Sequence, residues 1–185
     1  MKKILNTIAG EIQEVLAHVD AEQTVQLAEQ IQKADRIFIA GTGRSGLAGK
    51  MFAMRLMHSG YQVYVVGETI TPSLESGDLL LLISGSGGTA SLLNYAKKAK
   101  EIEAMVTLVT TNPQSAIGEY SSQIVRIPAA TKKRLESEPE TIQPLGSQFD
   151  QSAHLILDSI IVYLLQTYPG NRSEASLNQK HTNLE

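Results

Sequence analysis

Residues 79–83 read Leu-Leu-Leu-Leu-Ile, an apolar run with no polar alternation. A strand with one wet face alternates, whereas a strand buried on both faces does not. A run this short therefore suits a strand of a parallel sheet covered on both sides. Directly after it come Ser84-Gly85-Ser86-Gly87-Gly88-Thr89, and then a segment, 90–100, that reads as helix. Strand, glycine–hydroxyl loop and helix start together form an anion cradle. Glycines let backbone N–H groups turn toward a ligand. The helix start adds free N–H donors and a positive dipole end. Ser84, Ser86 and Thr89 add hydroxyl donors. A hydrogen bond to a charged group contributes about 1.5–3 kcal/mol, so a few of them would hold a phosphate monoester. The plainer alternative is a Ser/Gly turn in which Thr89 is only an N-cap.

The rest of the chain supports a sheet around that strand. Apolar positions in 3–19 (Ile4, Ile8, Ile12, Leu16, Val19) and in 21–33 (Val25, Leu27, Ala28, Ile31) follow a helical period, which predicts two amphipathic helices. Their stripes could pack on the domain or on another subunit. Strands are expected at 36–40, 62–66, 105–110 and 123–127. Helical segments between them are expected through Met51, Met54, Leu56 and Met57, and at 115–120. The methionines read as core filler, and His58 as a charge at a helix end. Alternating strands and helices predict an α/β fold with a parallel sheet and helices on both faces. Ligands in such folds bind outside the carboxyl ends of the strands.

Gly41-Thr42-Gly43-Arg44-Ser45-Gly46 lies at one of those ends and is a literal G-x-G-x-x-G. Glu68 follows a second strand, near the offset of the ribose-binding acid in a dinucleotide fold. A nucleotide-binding reading therefore competes. Two features count against it. The chain is short for a dinucleotide fold plus a substrate domain, and a second, Ser-rich phosphate loop follows the third strand.

Residues 128–143 are polar and charged, and read as a solvated surface loop. The segment 141–150 leads into an apolar helix over 155–165, with Asp150 in its first turn, where a negative charge is favourable. The tail, 170–185, reads as a frayed terminus by composition.

Composition narrows the function classes. The 185 residues suit one domain, 1–185, with the helical 1–34 in front and the tail 168–185 behind. The net charge of -3 gives no basic surplus for nucleic acid or an anionic membrane. There is no cysteine, which excludes disulfides and thiolate chemistry. No apolar run approaches the roughly 20 residues of a membrane span. The expected compartment is the cytoplasm. The four histidines are scattered without metal-ligand spacing, so no metal is expected.

Ser84-Gly85-Ser86-Gly87-x-Thr89 after an apolar strand and a Gly77-Asp78 pair resembles the sugar isomerase (SIS) phosphosugar-binding domain. Gly41-x-Gly43-Arg44-Ser45-Gly46 with 52–56, Thr141-Ile142-Gln143-Pro144-Leu145-Gly146-Ser147, and the ending His181-x-Asn183-Leu184-Glu185 are similar to the 6-phospho-3-hexuloisomerase family. The resemblance covers essentially the whole chain. It implies a five-stranded, flavodoxin-like parallel sheet preceded by two helices, a homotetramer and no cofactor. It also implies conversion of 3-hexulose 6-phosphate to fructose 6-phosphate in the ribulose monophosphate pathway of formaldehyde fixation. Phosphate binding carries over to Ser84, Gly85, Ser86, Gly87, Gly88 and Thr89, with Ser45 and Arg44 on the neighbouring loop. The catalytic carboxylate falls on Asp150. A functional histidine falls on His181, which is expected to reach a neighbouring subunit's site. Two positions depart from the family pattern: Gly88 and Asp150 stand where Glu is common. A non-catalytic phosphosugar sensor is the competing reading, since SIS domains also serve as ligand-binding modules in regulators.

Moving a carbonyl from C3 to C2 takes a proton from C2 and returns one at C3, through an enediol. A carboxylate suits the base, and a positioned base contributes about 10²–10⁴ in rate. Histidine, with a pKa near neutrality, suits the shuttle between the two oxygens.

Overall fold

The computed structural model describes residues 1–168 and 174–181. Five strands form one sheet: β1 (Ile37–Gly41), β2 (Val63–Val65), β3 (Leu79–Ile83), β4 (Met105–Thr110) and β5 (Gln123–Arg126). All neighbours pair in parallel, in the order β2-β1-β3-β4-β5. The central place falls to β3, whose five residues are all buried. Leu79, Leu81 and Ile83 face one hydrophobic core, while Leu80 and Leu82 face the other. This two-sided burial is why the run carries no polar residue.

Among the described residues six α-helices surround the sheet: α1 (Lys2–Ala17), α2 (Ala21–Lys33), α3 (Gly43–His58), α4 (Ala90–Glu101), α5 (Ser147–Thr167) and α6 (Glu174–Lys180). The first core takes Leu27 and Ile31 of α2, Phe52 and Leu56 of α3, and Ile156 and Ile160 of α5. The second is closed by Leu92, Ala96 and Ala99 of α4. Gly41 and Gly46 allow β1 and α3 to meet: a Cβ on Gly46 would lie 2.7 Å from the Gly41 carbonyl oxygen. Two glycines of the G-x-G-x-x-G pattern are thus required by strand–helix packing alone.

Several elements differ from the sequence-based expectation. The last long helix begins at Ser147, two turns before Leu155, and its buried front mixes polar Gln148 and Ser152 with apolar Phe149 and Ala153. Residues 174–180 of the tail are helical. Met51, Met54 and Met57 are 42–45% exposed and do not fill the core, which small Ala53 and Gly49 let the sheet approach instead. His58 is buried at the end of α3. Burial first, then the charges of His181 and Arg55, hold its pKa below the ordinary 6.5, so it favours the neutral form rather than acting as a helix-end charge. Among the described residues no helix is long and apolar enough to cross a membrane.

Candidate active site

Gly41 and Ile83 are partners in the β1–β3 register, so the loops 41–46 and 84–89 leave the sheet side by side at its carboxyl edge. In the second loop, Gly87 has a φ of +62°, a region that favours glycine. Any side chain there would also strike Ser115, since a Cβ would lie 1.9 Å from its Oγ. The Gly85 carbonyl accepts from the Thr111 backbone N–H at 3.1 Å and from the Thr110 and Thr111 hydroxyls at 3.1 and 2.8 Å. Three donors on one carbonyl fix the orientation of that peptide plane.

Thr89 occupies the N-cap position of α4, but its side chain caps no N–H of the helix. Its hydroxyl instead lies 3.4 Å from the Ser84 hydroxyl. The plain N-cap reading accounts for its backbone and not for its side chain. The Gly88 N–H donates to Ser86 Oγ at 3.3 Å. Three hydroxyls and a helix start thus converge on one turn, as phosphate binding requires.

The two remaining site elements join this loop through α5. The ring of Phe149 lies 3.2 Å from where a Cβ on Gly85 would stand, which sets the first turn of α5 against the 84–89 loop. Next to it, Asp150 accepts from Arg44 Nε at 2.9 Å through one carboxylate oxygen and from Ser45 Oγ at 3.0 Å through the other. Its side chain is 12% exposed, against 62% for Arg44. Arg44 and Ser45, expected on the substrate phosphate, are therefore engaged with the carboxylate. A carboxylate has about four lone-pair sites, so two remain for a reacting group.

His181 lies elsewhere in the chain. Its ring sits 5.3 Å from that of His58, at the far end of α3 from Ser45. Twelve helical residues lie between Ser45 and His58, about 20 Å of helix. Within one chain the structure does not bring His181 to Asp150. Asn183, Leu184 and Glu185 of the tail motif lie outside the described residues. His154, passed over in the sequence because it has no metal-ligand spacing, follows Asp150 by one turn on the same face of α5 and is half-buried.

The charged segment after β5 is exposed over 132–137, as a solvated loop should be, and it also has a place beside the glycine loops. It walls a cleft of about 380 Å³ beside the 84–89 loop, whose lining includes Ser86, Asn112, Arg126, Lys132 and Lys133. Glu138 holds its shape by accepting from the Thr131 N–H at 2.9 Å and the Thr131 hydroxyl at 2.6 Å. The cationic lining suits an anionic ligand. Glu68, the candidate ribose acid, is instead paired with Lys50 at 2.5 Å.

The SIS domain model matches residues 30–142, from the end of α2 through the loop after β5. The chain belongs to the SIS domain family. Within that family it is 43% identical over 178 residues to the 3-hexulose-6-phosphate isomerase of Bacillus subtilis, covering 96% of this chain and 95% of that one. It is 40% identical over 181 residues to the 3-hexulose-6-phosphate isomerase of Mycobacterium gastri, covering 98% and 89%. The fold matches the crystal structure of a Methanococcus jannaschii protein, for which that same function was inferred, with a TM-score of 0.84 at 35% identity and full coverage of both chains. The SIS match contains both glycine loops, and it ends before Asp150.

Proposed function

We propose that this SIS protein is a 3-hexulose-6-phosphate isomerase that interconverts 3-hexulose 6-phosphate and fructose 6-phosphate in the ribulose monophosphate pathway. The observation that carries the reading is the meeting of a hydroxyl-lined phosphate loop with a half-coordinated carboxylate, Asp150, on the first turn of α5. It is supported by end-to-end relatives that bear this name. The phosphate of the substrate binds Ser84 to Thr89 and positions the reacting carbons. Asp150 removes the proton at C2 of the hexulose and returns one at C3 of the enediol. Arg44 and Ser45 fix its orientation while its free lone pairs face the substrate. The shorter side chain of Asp150, where relatives of the family pattern have Glu, is matched by these two α3 donors, which hold it in place.

The proton shuttle between O2 and O3 falls to His181 of a neighbouring chain, since about 20 Å of helix lies between it and the carboxylate in its own chain. That role requires a homo-oligomer, for which we propose a tetramer. Its contact surface includes the exposed stripe Leu47, Met51 and Met54 on α3 together with Leu155 and Val162 on α5. The apolar stripe of α2 is already buried in its own chain, and only the front of α1, with Ile4 and Leu5, remains exposed for such contacts. One SIS unit spanning 1–185 and a cytoplasmic location belong to the same proposal. A purified sample that binds fructose 6-phosphate and turns over no 3-hexulose 6-phosphate would overturn the enzyme reading in favour of a sensor.

A further inference from the structure

The Thr141-Ile142-Gln143 segment has no role in the chemistry above, yet it is tied down at every polar group around Gln143. Glu11 of α1 accepts three hydrogen bonds from it: Thr141 Oγ1 at 2.6 Å, the Ile142 N–H at 2.8 Å and Gln143 Nε2 at 3.0 Å. Gln143 is 3% exposed. Its backbone N–H donates to Thr141 Oγ1 at 3.0 Å, and its carbonyl accepts from Arg134 Nη2. Its side-chain oxygen accepts from Gln151 Nε2 at 2.6 Å. An ionised carboxylate only accepts, so Glu11 obliges the Gln143 amide to turn its NH2 inward and its oxygen toward Gln151. The direction of the whole chain of bonds is set at Glu11.

That chain ends one residue from Asp150. Four consecutive side chains on the first turn of α5 are held from four directions. Gln148 accepts from the Ala130 N–H at 2.7 Å, Phe149 packs on Gly85, Asp150 takes Arg44 and Ser45, and Gln151 takes Gln143. Between Gln143 and this turn lies Leu145, a non-glycine residue with a φ of +52°. Such a backbone persists only where its surroundings over-determine it.

We propose that Glu11 and Gln143 are positioning residues for the reaction: through Gln151 they set the rotation of the first turn of α5 and hence the aim of Asp150. This rests on the reading of Asp150 as the base. Groups of a catalytic constellation need supporting contacts that hold them to a fraction of an ångström, and a shift of about 1 Å can cost on the order of 10²-fold in rate.

The experiment is a double-mutant cycle on kcat and KM with 3-hexulose 6-phosphate, using Gln143→Leu, Gln151→Leu and the double variant. Each single change should lower kcat about tenfold or more, with KM within about twofold, because the phosphate loop is untouched. The double variant should be no slower than the worse single one, since both remove the same bond. A kcat within about twofold of the parent in either folded single variant overturns the proposal. So does a double variant whose loss equals the product of the single losses. If Gln143→Leu does not fold, the half-buried Gln151→Leu alone carries the kcat test. Asp150→Asn serves as the reference. If it is inactive while Gln143→Leu is not, only the positioning proposal fails; if Asp150→Asn is fully active, the base assignment fails and the proposal with it.

Discussion

Asp150 has a modest structural role that could mimic a catalytic one, because a carboxylate in the first turn of a helix stabilises it by about 0.3–1 kcal/mol. Asn at this position keeps the shape and removes the base. Asp150→Asn should therefore lower turnover by about 10² or more, with KM for the phosphosugar nearly unchanged. A steady-state rate series checks this. Ser86→Ala should weaken inhibition by inorganic phosphate about tenfold or more, since it removes a hydroxyl worth about 1.5–3 kcal/mol on a charged ligand; competition assays read it directly. Glu11 gives a pH prediction. Burial raises its pKa, but the hydrogen bonds from Thr141, Ile142 and Gln143 and the charge of Arg134 outweigh that, and the net shift is below the ordinary 4.5. A carboxylate with a depressed folded pKa contributes stability above its unfolded pKa and loses it as pH falls through the folded one. Thermal unfolding should therefore show an acid-induced loss below about pH 4.5 that is smaller in Glu11→Gln.

At the scale of elements, the strands and glycine loops were legible because their causes are local. The run 79–83 is apolar throughout because both faces of β3 are buried. The loops 41–46 and 84–89 need glycine for close approach and for a positive φ. The front of α5 was only partly legible: Asp150 was placed in a first helical turn, but polar Gln148 and Ser152 sit beside Phe149 and Ala153 on the buried face and blur its apolar stripe. The tie between Glu11 and residues 141–143, which are 130 positions or more apart in sequence, was not legible. The methionines of α3 misled for another reason: a helical stripe of apolar residues marks a buried face without saying whether its own chain or another buries it. His58 at the end of α3 carries the prediction at this scale. Because its folded pKa is lowered, the stability it contributes is present above about 6.5 and is lost as pH falls toward the folded value. A His58→Asn variant should show a flatter melting profile over that range.

For the whole molecule, the exposed stripes of α3 and α5 set the expected assembly. Light scattering should give a particle of four chains rather than one of 20.1 kDa. Met51→Glu, which puts a charge into the stripe, should shift it toward smaller species. A shared site would then be testable by mixing: Asp150→Asn and His181→Ala chains, refolded together, should regain part of the lost turnover, because some sites would combine an intact carboxylate with an intact histidine. The central claim is that this SIS fold is an enzyme whose base sits on the first turn of α5. The most direct test is the conversion of 3-hexulose 6-phosphate to fructose 6-phosphate by the purified protein and by Asp150→Asn, side by side. The account predicts turnover by the parent and a rate lower by about 10² or more in the variant. No turnover by a folded parent that still binds the phosphosugar, or equal turnover by both proteins, would contradict it.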